Sequence, residues 1–151
     1  MMVMIEEGNK ALEEIKRADH LVHVTLKYTR TADVIRNILD RLINAFESTF
    51  LEYLRYLKEK GEIKQVPETV KARLELFKLK FKGKIKNFID IYILIKKIYA
   101  ADYGKKEEFR KHVTLIAHLR KKDVNVDIVL ITNFYFKTRE FFILVHEEMR
   151  K

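Results

Sequence analysis

Apolar residues recur every three or four positions through the middle of the chain, which is the spacing of one face of an α-helix. The stripe consists of Leu74, Phe77, Phe81, Ile85, Phe88, Tyr92, Ile95 and Tyr99. We predict one long amphipathic helix from residue 67 to about residue 102, with Pro67 at its first position. The string KLKFKGKIK also alternates with a period of two, which is typical of a strand, but the helical stripe covers more residues. Gly83 lies off the stripe and is the candidate position for a kink.

Two helices are predicted before this stripe. The first covers about residues 9–28, although residues 22–28 also alternate in a way that fits a strand. The second follows Thr31, a candidate N-cap, and continues to about residue 60. Gly61 is suited to end it, because glycine tolerates the left-handed conformation that follows many helices.

The last third of the chain is less regular. Residues 107–112 are predicted to be helical, and residues 127–149 form a last helix that is apolar on more than one face. Between them, residues 113–126 are rich in β-branched side chains, and both a helix and a short hairpin stay open. We therefore predict an all-α fold: an antiparallel bundle of four to five long helices, with a short β-hairpin before the C-terminal helix as the open alternative.

Composition limits the class of protein. The 151 residues are 48% apolar, which suffices for one helical-bundle domain over residues 1–151. Cysteine is absent, so disulfides, thiolate nucleophiles and cysteine zinc sites are excluded. Abundant Lys, Glu and Ile are typical of a thermophile. We find neither a signal-peptide pattern nor an apolar run of membrane-spanning length, and we expect a cytoplasmic protein with no membrane partner.

Charge is distributed unevenly. Residues 1–60 hold ten basic and ten acidic residues, so the whole net charge of +9 belongs to residues 61–151. Such a block predicts an anionic partner, RNA or another polyanion, and the alternative is a solvated lysine-rich surface. The candidate nucleic-acid-binding residues are Lys78, Lys82, Lys86, Lys105, Lys106, Arg110, Lys111, Lys121 and Lys122.

Few residues suggest conventional catalytic or metal chemistry. His20 and His23 have helical spacing for metal ligands, but Asp19 is expected to point elsewhere, so we predict neither a metal site nor a cofactor. Ser48 is the only serine and lies in a predicted helix, which argues against a serine hydrolase. The polar string at residues 27–31 fits either an anion site or a capped helix junction, and we favour the junction.

One pair of residues suggests a reaction. Arg139 and His146 are seven positions apart, so a helix places them on one face, where Arg can hold a phosphate and His can act as acid or base. This segment, R-EFFILV-H, resembles the signature of the HEPN superfamily, in which four to six residues separate Arg and His. In the family Asn usually follows the Arg, whereas Glu140 stands here, and the motif usually lies before the last helices.

The resemblance implies a small, often dimeric all-α bundle. Many HEPN proteins are metal-independent ribonucleases of toxin and defence systems, and others bind nucleotides without cleaving them. For this chain it implies Arg139 and His146 as a catalytic pair. The alternative hypothesis is a non-catalytic interaction protein that forms a homodimer through its aromatic C-terminal helix.

Overall fold

The computed structural model describes the backbone of residues 2–151 and the side chains of residues 10–151. This part of the chain forms five helices and a small sheet. The first helix is followed without interruption by a π-helical turn at Leu21–Thr25 and a last α-turn at Leu26–Tyr28. The helices are α1 (Met2–His20), α2 (Ala32–Glu59), α3 (Val70–Lys80), α4 (Lys86–Ala100) and α5 (Ile128–Met149). The strands are β1 (Asp102–Lys106), β2 (Thr114–His118) and β3 (Asp123–Val126). Among these helices, none combines the length and the apolar character that a membrane span requires.

Helix α2 is the central element, and the other four helices surround it. Leu39, Leu42, Phe46, Phe50 and Leu54 on α2 are completely buried. Aromatic rings then connect α2 to its neighbours, with centroid distances of 5.3 Å from Phe46 to Tyr92 on α4, 5.1 Å from Phe50 to Phe77 on α3, and 5.0 Å from Phe46 to Phe141 on α5. Large buried rings contribute most of the apolar area in such a core, so this aromatic cluster explains the arrangement of the helices.

Residues at the helix ends determine where the helices begin and stop. The Thr31 hydroxyl accepts a hydrogen bond from the Val34 amide at 3.2 Å, which confirms the predicted N-cap of α2. Gly61 has φ +77° just beyond α2 and confirms the predicted stop. The predicted position of Pro67 in a helix is wrong, because Thr69 caps the Ala72 amide and α3 begins at Val70.

The single long helix predicted over residues 67–102 is wrong, because residues 81–85 separate α3 from α4. Phe81 and Ile85 are 6% and 9% exposed, so the stripe residues stay buried although the helix is interrupted. The break lets α3 and α4 both pack against α2. Gly83 lies so close to the Phe81 ring that an added Cβ would be 2.6 Å from Phe81 Cε1, which fits the bend at this glycine.

An antiparallel three-stranded sheet corrects the all-α prediction. It has the order β1-β2-β3, with Gly104 opposite Ile116 and Leu115 opposite Val126. The hairpin left open for residues 113–126 is therefore present, and β1 is a strand that we did not predict. Residues 107–112, predicted to be helical, form turns instead, because Glu107 and Phe109 have φ values of +57° and +62°.

Candidate functional site

A large open cleft lies where α3, the 81–85 link, α4 and α5 meet. Its volume is about 1080 Å³, and four lysines line it: Lys78, Lys84, Lys86 and Lys137. The link positions them, because Phe81 and Ile85 anchor it in the core while residues 82–84 between them are exposed. We call these four residues and the space between them the lysine cleft.

The charges in the lysine cleft are only weakly compensated. Lys78 lies 3.4 Å from Glu75, Lys86 lies 3.5 Å from Asp90, and Lys137 lies 3.5 Å from a carboxylate on its own helix. All three pairs are solvent-exposed, and exposed pairs contribute about 0–1 kcal/mol. Lys84 makes no ion pair with any residue that the structure describes. An anion entering the cleft therefore displaces only weak interactions.

The predicted nucleic-acid-binding residues do not form one continuous stripe. Lys78 and Lys86 line the lysine cleft, and Lys82 lies on the link beside it. A second group, Lys105, Lys106, Arg110 and Lys111, lies on β1 and the following loop, beyond the opposite end of α4, a helix about 22 Å long. Lys121 and Lys122 lie in the β2–β3 turn, at the other end of the sheet from Lys106.

His146 and Arg139, predicted as a catalytic pair, contact different neighbours. The Nε2 atom of His146 lies 3.2 Å from Oε2 of Glu52 on α2, and Glu52 is 6% exposed. The His146 ring also packs on Phe142, with the centroids 4.1 Å apart. Arg139 is exposed and lines a groove against α1, and the described residues of that groove do not include His146.

The groove between α1 and α5 contains a different histidine. His23 lies on the π-helical turn, and its Nδ1 is 2.7 Å from Oδ1 of Asp19, one turn earlier. Lys16, Tyr135 and Arg139 line the same groove, whose volume is about 520 Å³. We call this set of five residues the His23 groove. Single-turn π-helical segments are frequent at functional sites, because the extra residue changes the direction of the side chains.

The geometry of Asp19 corrects the sequence analysis. We expected Asp19 to point away from the histidines, but it is hydrogen-bonded to His23 at the i,i+4 spacing of one helix face. That spacing was visible in the sequence and could have identified the pair. The participation of Arg139 was not visible, because α1 and α5 come together only in the folded chain.

Tyr135 adds a proton donor to the groove. Its ring lies edge-on to His23, with the centroids 5.7 Å apart. Burial raises the pKa of Tyr135, the charge of Asp19 raises it further, and the Arg139 guanidinium opposes the shift. The phenol therefore stays protonated at neutral pH and keeps a proton that it can donate within the groove.

An apolar stripe lies exposed on α5. Val129, Phe136 and Ile143 are spaced by seven residues and are 76%, 41% and 42% exposed. Seven-residue spacing keeps side chains on one side of a helix, as in the contact line between paired helices. The predicted dimerisation through this helix stays a prediction.

In the polar string at residues 27–31, Thr31 caps α2, as expected for a helix junction. Within residues 10–151, no group of three or more His, Cys, Asp or Glu side chains is arranged to hold a metal ion.

In comparisons with known proteins, no family model, no curated protein and no solved structure matches the chain. The resemblance to the HEPN superfamily therefore stays a prediction.

Proposed function

We propose that this protein binds RNA through phosphate contacts in the lysine cleft. The observation that carries the proposal is the convergence of four lysines from α3, the link, α4 and α5 on one open cleft. Lysine ammonium groups supply the sequence-independent part of nucleic-acid affinity.

The backbone at the start of α4 adds positive potential. Residues 85–89, the first turn of α4, line the cleft, and Ile85 at the N-cap provides no side-chain hydrogen bond to the first amides. The first amides of a helix carry the positive end of its dipole and favour bound anions. In this proposal, the lysines attract the strand and the helix start contributes to holding a phosphate.

Binding of a fluorescent mixed-sequence RNA, measured by anisotropy at several salt concentrations, tests the proposal. The affinity of the parent protein should fall as salt rises, with a slope of about −0.7 for each phosphate contacted on a single strand. The Lys84→Glu variant should bind more weakly and with a shallower slope. Lys10→Glu is the matched control, since Lys10 is an exposed lysine on α1. Negligible affinity at low salt, or equal losses in both variants, would reject the proposal.

RNA cleavage is a second candidate function, which the His23 groove favours. With the Nδ1 proton donated to Asp19, Nε2 of His23 can accept the proton of a ribose 2′-hydroxyl. The 2′-oxygen then bonds to phosphorus, the bond from phosphorus to the 5′-oxygen breaks, and Lys16 donates a proton to that oxygen. Arg139 pairs with the non-bridging oxygens while their charge develops. The products are a 2′,3′-cyclic phosphate and a free 5′-hydroxyl.

The two histidines permit a direct comparison of candidate cleavage sites. Incubation of mixed RNA with the parent, His23→Ala and His146→Ala distinguishes the His23 groove from the Arg139–His146 pair. Loss of cleavage in His23→Ala alone supports the groove, and loss in His146→Ala alone supports the pair of the HEPN motif. Cleavage that is absent in the parent, or unchanged in both variants, removes this candidate.

Homodimerisation is the third candidate, and the exposed stripe on α5 supports it. A partner helix packed on Val129, Phe136 and Ile143 would remove these side chains from water. In sedimentation velocity, Phe136→Glu should convert a dimer of the parent into a monomer, whereas Lys137→Glu, one residue further, should not. A parent that sediments as a monomer at all concentrations would exclude this role for the stripe.

A further inference from the structure

Two of the most exposed aromatic side chains lie on neighbouring segments of the chain. Tyr28 at the end of the first helical segment is 85% exposed, and Phe109 in the loop after β1 is 74% exposed. The segments are joined directly, because the Phe109 amide donates a hydrogen bond to the Arg30 carbonyl at 2.6 Å. Exposed apolar side chains on adjoining segments form the kind of surface that is typical of interaction sites. We call Tyr28 and Phe109 the aromatic platform.

The loop that carries Phe109 is held in a costly conformation. Glu107 and Phe109 have positive φ values, which are unfavourable for residues other than glycine. Oε2 of Glu108 accepts a hydrogen bond from the Ala32 amide at 3.0 Å, which fixes the loop to the start of α2. The chain thus maintains strain at a position where the side chain remains in solvent, a pattern that is concentrated at functional sites.

Charge around the aromatic platform is positive. Residues 27–33 and 105–112 contain six basic and three acidic residues, which leaves a net +3. Asp33 lies 3.5 Å from Lys105, Glu107 lies 3.7 Å from Arg110, and Glu108 accepts the hydrogen bond of the Ala32 amide. The two ion pairs are exposed and therefore weak, so a phosphate can replace the carboxylates beside Lys105 and Arg110. The basic residues are Lys27, Arg30, Lys105, Lys106, Arg110 and Lys111.

We propose that the aromatic platform binds the unpaired bases of single-stranded RNA, while the surrounding basic residues contact its phosphates. This inference rests on the proposed RNA binding and specifies the form of the ligand. Aromatic rings bind exposed bases by stacking, and cations beside them follow the backbone of the strand. Bases of a duplex are already stacked on one another, so the platform selects single strands.

Binding of a fluorescent uridine 12-mer, and of the same strand paired with its complement, tests this inference. The parent should prefer the single strand, and Phe109→Ala and Tyr28→Ala should each weaken its binding about five- to 150-fold, the range expected for one stacked base. Phe109→Tyr keeps the ring and should restore binding, whereas Phe109→Leu keeps apolar bulk without a π-face and should not. Lys84→Glu, remote from the platform, serves as the comparison for the lysine cleft.

The outcomes separate this inference from the proposed function. Single-strand binding that Lys84→Glu weakens but neither aromatic variant changes would overturn the platform and leave the lysine cleft intact. Absence of binding by the parent to either RNA would overturn both. Two further results would also overturn base stacking as the role of the rings. One is binding by Phe109→Leu that equals binding by the parent. The other is a change in sedimentation of the RNA-free protein when Tyr28 and Phe109 are both replaced by Ala. Thermal unfolding followed by circular dichroism confirms that each variant is folded.

Discussion

Replacement of Tyr92 by Phe should make the protein less stable at neutral pH and less sensitive to alkali. Tyr92 on α4 is 1% exposed, and its hydroxyl donates a 2.7 Å hydrogen bond to Oε2 of Glu47 on α2. Burial, and then the hydrogen bond and charge of Glu47, raise the pKa of Tyr92 far above its usual value. The Phe variant removes both the hydrogen bond and the ionisable group, so the two effects can be separated by pH.

The loss of stability of Tyr92→Phe at neutral pH follows from the lost hydrogen bond to Glu47. A hydrogen bond to a charged group contributes about 1.5–3 kcal/mol to stability. We expect the lower end for Tyr92→Phe, because Glu47 keeps its ion pair with Lys96 at 3.3 Å and is not left without a partner. The free energy of unfolding should therefore fall by about 1.5 kcal/mol at pH 8.

The alkaline effect follows from the raised pKa. Above about pH 10 the tyrosine of the unfolded chain loses its proton, whereas Tyr92 in the folded protein keeps it, so the unfolded state binds fewer protons. The stability contributed by the protonated phenol is present below this pH and is lost as the pH rises. By pH 11 the loss from one tyrosine is about 1.4 kcal/mol, and it is absent in Tyr92→Phe.

Urea unfolding at pH 8 and pH 11, followed by far-ultraviolet circular dichroism, measures both effects. The difference in unfolding free energy between parent and variant should shrink by about 1.4 kcal/mol between the two pH values. Tyr28→Phe is the matched control, because Tyr28 is 85% exposed, and its difference from the parent should not change. A difference that stays constant or grows for Tyr92→Phe would refute the reasoning.

Four other substitutions test the packing and the helix ends. Phe141→Ala should lower the free energy of unfolding by about 3–5 kcal/mol in a urea titration, because the ring is completely buried in the aromatic cluster. Gly83→Ala should cost about 1–3 kcal/mol, since the new Cβ displaces the Phe81 ring, whereas Gly104→Ala should cost less because its Cβ meets no atom closer than 3.6 Å. Thr31→Ala should cost about 1 kcal/mol by thermal unfolding, and a loss within 0.2 kcal/mol would contradict its role as a cap.

The helices whose ends are set locally could be predicted from the sequence. Thr31 and Asp127 each accept a hydrogen bond from the amide three residues later, and Gly61 adopts positive φ after α2. These signals act within one turn, so they can be recognised without knowledge of the fold. The predicted ends of α2 and the start of α5 therefore agree with the structure to within one or two residues.

The sheet could not be predicted in full, because its first strand depends on its partner. The β1 sequence, DYGKK, contains Gly and Lys, which are poor strand formers, and it has no apolar alternation. It is a strand because residues 102–106 pair with residues 114–118 of β2. The break between α3 and α4 at residues 81–85 could not be predicted either, because it also depends on packing in the folded chain. Phe81 and Ile85 keep helical spacing, but they reach the core from a link that is not helical.

The candidate site shows the limit of a one-helix argument for catalysis. Arg139 and His146 share a side of α5, but seven residues of helix separate them by about 10.5 Å along the axis. At that spacing a different element meets each residue: α1 lies against Arg139, and Glu52 of α2 lies against His146. A shared helix face therefore does not by itself bring two side chains into one groove, and the catalytic pair stays a prediction. His23 shares a groove with Arg139 although 116 positions separate them in the chain. The comparison of His23→Ala with His146→Ala therefore tests whether RNA cleavage depends on the histidine of the sequence motif or on the histidine that the fold brings beside Arg139.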